Sequence, residues 1–148
     1  MRTTIYQLFV RHFGNTCSAR VIDGDIEQNG CGKFADITEA SLRAIKTMGF
    51  THIWLTGVLE HASLTRYHGI PADDSVLMKG KAGSPYAIRD YFDVSADYAV
   101  EPENRLEEFS SLLDRCHELG LKTIIDFVPN HVARSYCSDV KPDLNFGE

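Results

Sequence analysis

The 148-residue chain is 43% hydrophobic and 24% charged, with a formal net charge of −6. That length allows one domain with a substantial core. The acidic balance and the lack of any Lys/Arg cluster argue against a nucleic-acid surface, and no apolar run approaches the ~20 residues that span a bilayer. The amino terminus, Met1-Arg2-Thr3-Thr4-Ile5-Tyr6, runs straight into strand-like sequence. It shows no charged start, apolar stretch and small-residue cleavage site of a secretory signal, which points to the cytoplasm. Four cysteines (Cys17, Cys31, Cys116, Cys137) are irregularly spaced with no C-x-x-C pair, so a zinc or redox motif has little support. A Cys17–Cys31 bridge is an option only in an oxidising compartment.

The first predicted strand is Thr4-Ile5-Tyr6-Gln7-Leu8-Phe9-Val10. A helix follows with Leu42, Ile45 and Met48 on one face and Asp36-x-x-Glu39 as its capping box. Gly49 then stands where a left-handed terminator belongs, and Thr51-His52-Ile53-Trp54-Leu55 reads as a second strand with Trp54 in the core. From Gly57 to Glu101 runs a long insertion rich in Gly, Pro and Tyr, too aromatic for a floppy linker. Within it, His61 and His68 read as solvated histidines, Glu60 as a partner in a salt bridge on the rim, and Asp90 and Asp93 as loop-ordering acids. A second helix carries the stripe Leu106, Phe109, Leu113, Cys116 and Leu119, with Asn104-x-x-Glu107 at its start and Gly120 at its end. Helix, Gly and hydrophobic strand thus occur twice. The order β-α-β-α-β calls for parallel strands and right-handed crossovers, in either a doubly wound sheet or a (β/α)8 barrel. The strands are near-continuously apolar, as expected when both faces are covered.

The third strand closes on the most informative stretch, Leu121-Lys122-Thr123-Ile124-Ile125-Asp126-Phe127-Val128-Pro129-Asn130-His131. Pro129 has no N–H for a ladder and disfavours helix at Val128, so pairing should stop there. Asp126, Asn130 and His131 are thereby placed at the carboxyl end of a parallel strand, where α/β sheets and barrels hold their ligands.

At these residues the chain resembles the start of the alpha-amylase family, glycoside hydrolase family 13. Asp126-Phe127-Val128-Pro129-Asn130-His131 resembles the family's first signature region, after the third barrel strand. Gly49-Phe50-Thr51-His52-Ile53-Trp54-Leu55 resembles its second strand, and Ser84-Pro85-Tyr86-Ala87-Ile88-Arg89-Asp90-Tyr91 its tyrosine motif. Ile5-Tyr6-Gln7-Leu8-Phe9 with Phe13 resembles its first strand. The resemblance is collinear from end to end. It implies the amino-terminal part of a (β/α)8 barrel, with residues 1–148 forming one piece of a catalytic domain truncated after strand three.

By that resemblance, His131 donates to sugar hydroxyls where cleavage occurs, and Tyr86 stacks on the apolar face of a pyranose. Asp126 orders the site by hydrogen bonding, and Asn130 takes a position that is a calcium ligand in many members. No cofactor is otherwise required. Many relatives place an acid three residues before the stacking tyrosine; here that position is Gly83. Retaining glycosidases need two carboxyl groups about 5–5.5 Å apart. In the family these follow strands four and five, so the nucleophile and acid/base are expected beyond Glu148. The implied parent is therefore a retaining glycoside hydrolase or transglycosidase acting on α-linked glucans or oligosaccharides. This chain would supply sugar-subsite residues and be inactive alone. From the residues by themselves, Asp126 reads equally as a strand-end acid and Tyr86 as a loop anchor. Two other readings stand beside the enzyme: a non-catalytic barrel relative serving as a binding or interaction subunit, and an unrelated doubly wound enzyme. The last has little help, since no Gly-rich phosphate loop follows any strand.

Overall fold

A computed structural model describes residues 2–146. Glu148, the point beyond which the catalytic nucleophile and acid/base are expected, lies outside the described residues. The centre of the fold is a three-stranded parallel sheet of β1 (Ile5–Phe9), β2 (His52–Thr56) and β5 (Lys122–Ile125), in the spatial order β1-β2-β5. The order and direction match the sequence expectation, and the register runs from Ile5 opposite His52 to Leu55 opposite Ile125. All three carboxyl ends therefore share one side of the sheet.

Two helices cover one face. α2 (Glu39–Thr47) buries Leu42 and Ile45, and α3 (Arg105–Glu118) buries Leu112 and Cys116. With Leu8, Ile53, Leu55, Phe34 and Tyr98 they form the core. Gly49 and Gly120 both take the positive φ of the expected terminators, at 95° and 67°.

Several helix details differ from the pattern. Met48 is 63% exposed, because α2 stops at Thr47 and the helix face ends with it. Thr38, not Asp36, caps α2, its hydroxyl accepting from the Ser41 N–H. Asp36 instead closes a short 3-10 turn, Phe34–Asp36, accepting from the Lys33 N–H at 2.8 Å. The Asn104 side chain makes no cap on α3; Glu108 instead reaches back to the preceding loop, accepting from the N–H groups of Val100 and Glu101. Leu112 is the buried anchor of α3, while Leu106 at the first turn lies 41% exposed.

The strands are not covered on both faces throughout. Only β2, paired on both sides, is well buried; Ile5 on β1 and Ile125 on β5 are each close to half exposed. Apolar sequence at these positions marks surface that further elements can cover.

The connection between β1 and α2 holds one short helix, α1 (Ile26–Asn29), closed by a reciprocal capping box between Asp25 and Gln28. The long insertion folds on an antiparallel pair, β3 (Leu59–His61) with β4 (Ile88–Val94), whose register shifts twice along its length. Its aromatic and apolar content is thus explained by a hairpin packed against the main sheet. All four cysteines are free thiols, so no Cys17–Cys31 bridge forms. The Cys31 thiol points instead to the carbonyls of Gly32 and Asp97, and Cys116 is core.

Candidate functional site

Asp126 sits one residue past β5 and uses both carboxylate oxygens. Oδ1 accepts the indole N–H of Trp54 from β2, and Oδ2 accepts the backbone N–H of Gly57 at 2.8 Å. Trp54 is therefore not merely core: its ring is half-buried in the sheet and its polar edge is turned to the acid. A carboxylate held by two donors is fixed in orientation, and such charge-assisted bonds are the stronger class.

Gly57 joins this knot for a conformational reason. Its φ is 64°, and a Cβ there would stand 2.6 Å from Cβ of Pro85. The bare backbone lets the Ser84–Pro85–Tyr86 loop close over the end of β2. That closure sets the Tyr86 hydroxyl beside Asp126, and burial followed by the Asp126 charge pushes its phenol above the ordinary range. The Tyr86 ring stays 45% exposed.

The departure at Gly83 has a similar cause. Its φ is 92°, and a Cβ would come within 2.9 Å of the Ala62 carbonyl oxygen. An acid cannot stand there on this backbone without moving the hairpin. The nearest charge is of opposite sign: the Arg11 guanidinium reaches the Gly83 carbonyl at 3.5 Å and the His61 ring at 3.3 Å.

Downstream of Asp126 the chain turns under Tyr91 of β4. The Tyr91 hydroxyl donates to the Val128 carbonyl and reaches the His131 carbonyl at 3.4 Å, while its ring packs 5.4 Å from that of Phe127. His131 is exposed, with Nδ1 3.1 Å from Oδ1 of Asn130. Tyr86, Asp126 and His131 thus lie at the carboxyl end of the parallel sheet, with Tyr86 directly beside Asp126. Asn130 is the residue through which the resemblance offers calcium. It is exposed and turned to the His131 ring. One amide oxygen falls far short of the six to eight that calcium takes, so no chemistry is derived through a metal there.

The hairpin behind this site holds the residues whose surroundings the sequence disguised. His61 is buried, not solvated, with Nδ1 2.9 Å from the Leu59 carbonyl, and burial lowers its pKa to about 4. His68 remains exposed, 3.6 Å from Glu103. Glu60 is no rim residue: it is buried against Arg89, with Nε 3.5 Å from Oε1, and burial raises its pKa to about 8. Asp90 and Asp93 do bond locally, accepting from the N–H groups of Phe92 and Val94 at 2.7 and 2.6 Å, but from within β4. Asp93 also takes Arg105 of α3, which ties the hairpin to the main layer. Tyr67 donates to Asp97 at 2.9 Å, an anchor with no local signal in the chain.

Comparison with known proteins follows the same residues. The family described as the alpha amylase catalytic domain matches residues 7–140. The chain belongs to the alpha-amylase family. Among its relatives, Maltase A1 of Drosophila melanogaster is 31% identical over 115 residues, covering 77% of this chain and 15% of that protein. Alpha-amylase 3 of Dictyoglomus thermophilum is 28% identical over 86% of this chain and 19% of its own length. An alpha-amylase structure from Lactobacillus plantarum superposes with a TM-score of 0.63 at 32% identity, covering 96% of this chain and 26% of that one. Trehalose-6-phosphate hydrolase of Bacillus licheniformis follows at 0.59 and 25% identity, covering 90% and 18%. The alpha-amylase fold is a (β/α)8 barrel, and the three parallel strands here superpose on part of one. The chain spans less than a fifth of the curated relatives just named. Among the described residues, no helix is long and apolar enough to cross a membrane.

Proposed function

We propose that this chain is one part of a catalytic barrel and supplies the sugar-subsite wall of a retaining glycoside hydrolase or transglycosidase acting on α-linked glucans or oligosaccharides. The observation that carries the reading is the double anchoring of Asp126 by Trp54 and Gly57, which leaves the Tyr86 ring half open beside it. An aromatic face of that kind suits the apolar face of a pyranose, and the rigid ring loses little entropy on binding. His131, exposed at the same end, donates through Nδ1 to Asn130 and leaves Nε2 free to accept from a sugar hydroxyl.

In this reading Asp126 positions and does not react: both of its oxygens are committed to neutral donors. The nucleophile and acid/base belong to strands four and five of such a barrel, beyond Glu148, so the 148-residue chain alone binds without turnover. The test is native electrophoresis through a gel containing soluble starch, with a reducing-sugar assay on the same material. The chain should be retarded, Tyr86→Ala and His131→Ala should migrate as in a blank gel, and none should release sugar. Unretarded migration of the unaltered chain would overturn the subsite. Steady release of sugar by pure protein would overturn the assignment of the catalytic carboxyls.

A further inference from the structure

Beside the sugar site, the hairpin gathers carboxylates in a way that salt bridges do not explain. Glu60 of β3, Asp90 and Asp93 of β4, and Asp139 each place an oxygen within 4.8 Å of all the others. Glu60, Asp90 and Asp93 are buried, and Asp139 caps the group from the surface side with half of its side chain exposed. Two arginines serve this group. Arg89 meets Glu60 at 3.5 Å and Asp73 at 3.6 Å; Arg105 meets Asp93, and Asp139 at 3.3 Å. Five carboxylates facing two guanidinium groups leave a surplus of three negative charges when all are ionised.

A second observation singles out where the surplus falls. Asp90 is 0% exposed, and its Oδ2 has no hydrogen-bond partner, while Oδ1 already accepts the Phe92 N–H. The two oxygens of one carboxylate sit side by side, so this orphan acceptor borders the shared space of the four acids. Neither arginine pairs with it: Arg105 is taken by Asp93 and Asp139, and Arg89 lies beside Glu60 and Asp73 with its own Nε left without a hydrogen-bond partner. A buried carboxylate oxygen without a partner is costly, which makes it an unusual thing to build by accident beside three more acids.

We propose that Glu60, Asp90, Asp93 and Asp139 form a binding site for one calcium-sized divalent cation. Oxygens on opposite sides of a calcium ion lie about 4.6–5.2 Å apart at its usual 2.3–2.6 Å bond length, and the four acids fit within that span. The ion takes up the Asp90 oxygen and leaves one surplus charge. Chain carbonyls and water from the Asp139 side complete the shell. Magnesium keeps most of its water and takes one or two carboxylates rather than an all-protein cage, so a cluster of four acids suits calcium better. The cation would pin the Asp139 segment to β3 and β4, joining the stretch after His131 to the hairpin.

The test uses the 148-residue chain freed of metal by a chelator and titrated with calcium chloride, and separately with magnesium chloride, by calorimetry and thermal melting. Calcium should bind one to one and raise the melting temperature, with magnesium at least tenfold weaker. Asp139→Asn, a half-exposed change that leaves the interior intact, should weaken calcium at least tenfold. Asp90→Asn should abolish binding, and Asp143→Asn, outside the group, should bind as the unaltered chain does. The proposal falls if calcium gives no saturable heat, or if Asp139→Asn binds as tightly as the unaltered chain. It also falls if the melt rises on acidification but not with calcium, since a shared proton would then occupy the place given to the ion.

Discussion

Two neighbouring regions of this molecule handle carboxylates in opposite ways. At the carboxyl end of the parallel sheet, Asp126 has a neutral donor on each oxygen and an accessible aromatic ring beside it. On the hairpin, Glu60, Asp90 and Asp93 are packed out of water against arginines, and one oxygen is left without any partner. The first arrangement is self-sufficient and open to a neutral ligand such as a sugar. The second is charged, closed and dependent on its counterions. Burial of an acid therefore does not mark it as functional chemistry; what matters is which groups complete its bonding.

The contrast is broken most severely by taking a counterion from the hairpin. Arg105→Ala leaves Asp93 buried without its guanidinium and should cost about 3–5 kcal/mol, as loss of one partner of a buried pair does; urea denaturation reads it. A cost below ~1 kcal/mol would mean water reaches Asp93. Next comes Asp126→Ala, which strips the Trp54 and Gly57 N–H groups of their acceptor and should cost about 1–3 kcal/mol. Asp126→Asn can satisfy only one of the two without turning a donor toward the other, and should fall between the unaltered chain and the alanine variant. Equal stability of all three would remove Asp126 as the organiser of the site.

The sheet edges give a third test. Among the described residues, β1 and β5 pair on one side only, with Ile5, Ile125 and the 71% exposed Phe127 near those edges. Open edges of this kind invite self-association, so sedimentation at micromolar concentration should find oligomers. A stable monomer melting above ~60 °C, the upper end for mesophile domains, would show that the edges are protected in another way. The smallest effect is chemical. Burial raises the thiols of Cys31 and Cys116 to about 11. At pH 8 only about one in a thousand of either is the reactive thiolate. Exposed Cys137 should alkylate first, as mass spectrometry of a timed reaction would show; early labelling of Cys31 would mean the hairpin opens readily.

The parallel half was legible because its signals are local. Helix, Gly and strand recur within a few residues, and Asp126 to His131 lies on one short motif. What the sequence hid depended on distant partners. Trp54 looked like core because its indole reads as apolar, and the acid that takes its N–H is 72 positions away. Glu60 reads as a salt-bridge partner on the rim and His61 as solvated because nothing nearby reveals that β4, beginning at Ile88, returns to cover them. The stripe on α3 holds for Phe109, Leu113, Cys116 and Leu119, with Leu112 buried beside them, and fails at Leu106 in the first turn, which lies exposed. Gly83 reads in sequence only as a departure from the relatives' acid, whereas its positive φ and the Ala62 carbonyl behind it explain why no side chain stands there.

The functional reading stands or falls with Tyr86, held beside Asp126, as a sugar-stacking surface. Trp54, the single tryptophan of the chain, reports on it directly, because its indole N–H is bonded to the same carboxylate. Titration with maltotriose should therefore produce a saturable change in Trp54 fluorescence in the millimolar range, absent in Tyr86→Ala. A flat response in the unaltered chain, or an identical response in Tyr86→Ala, would contradict it.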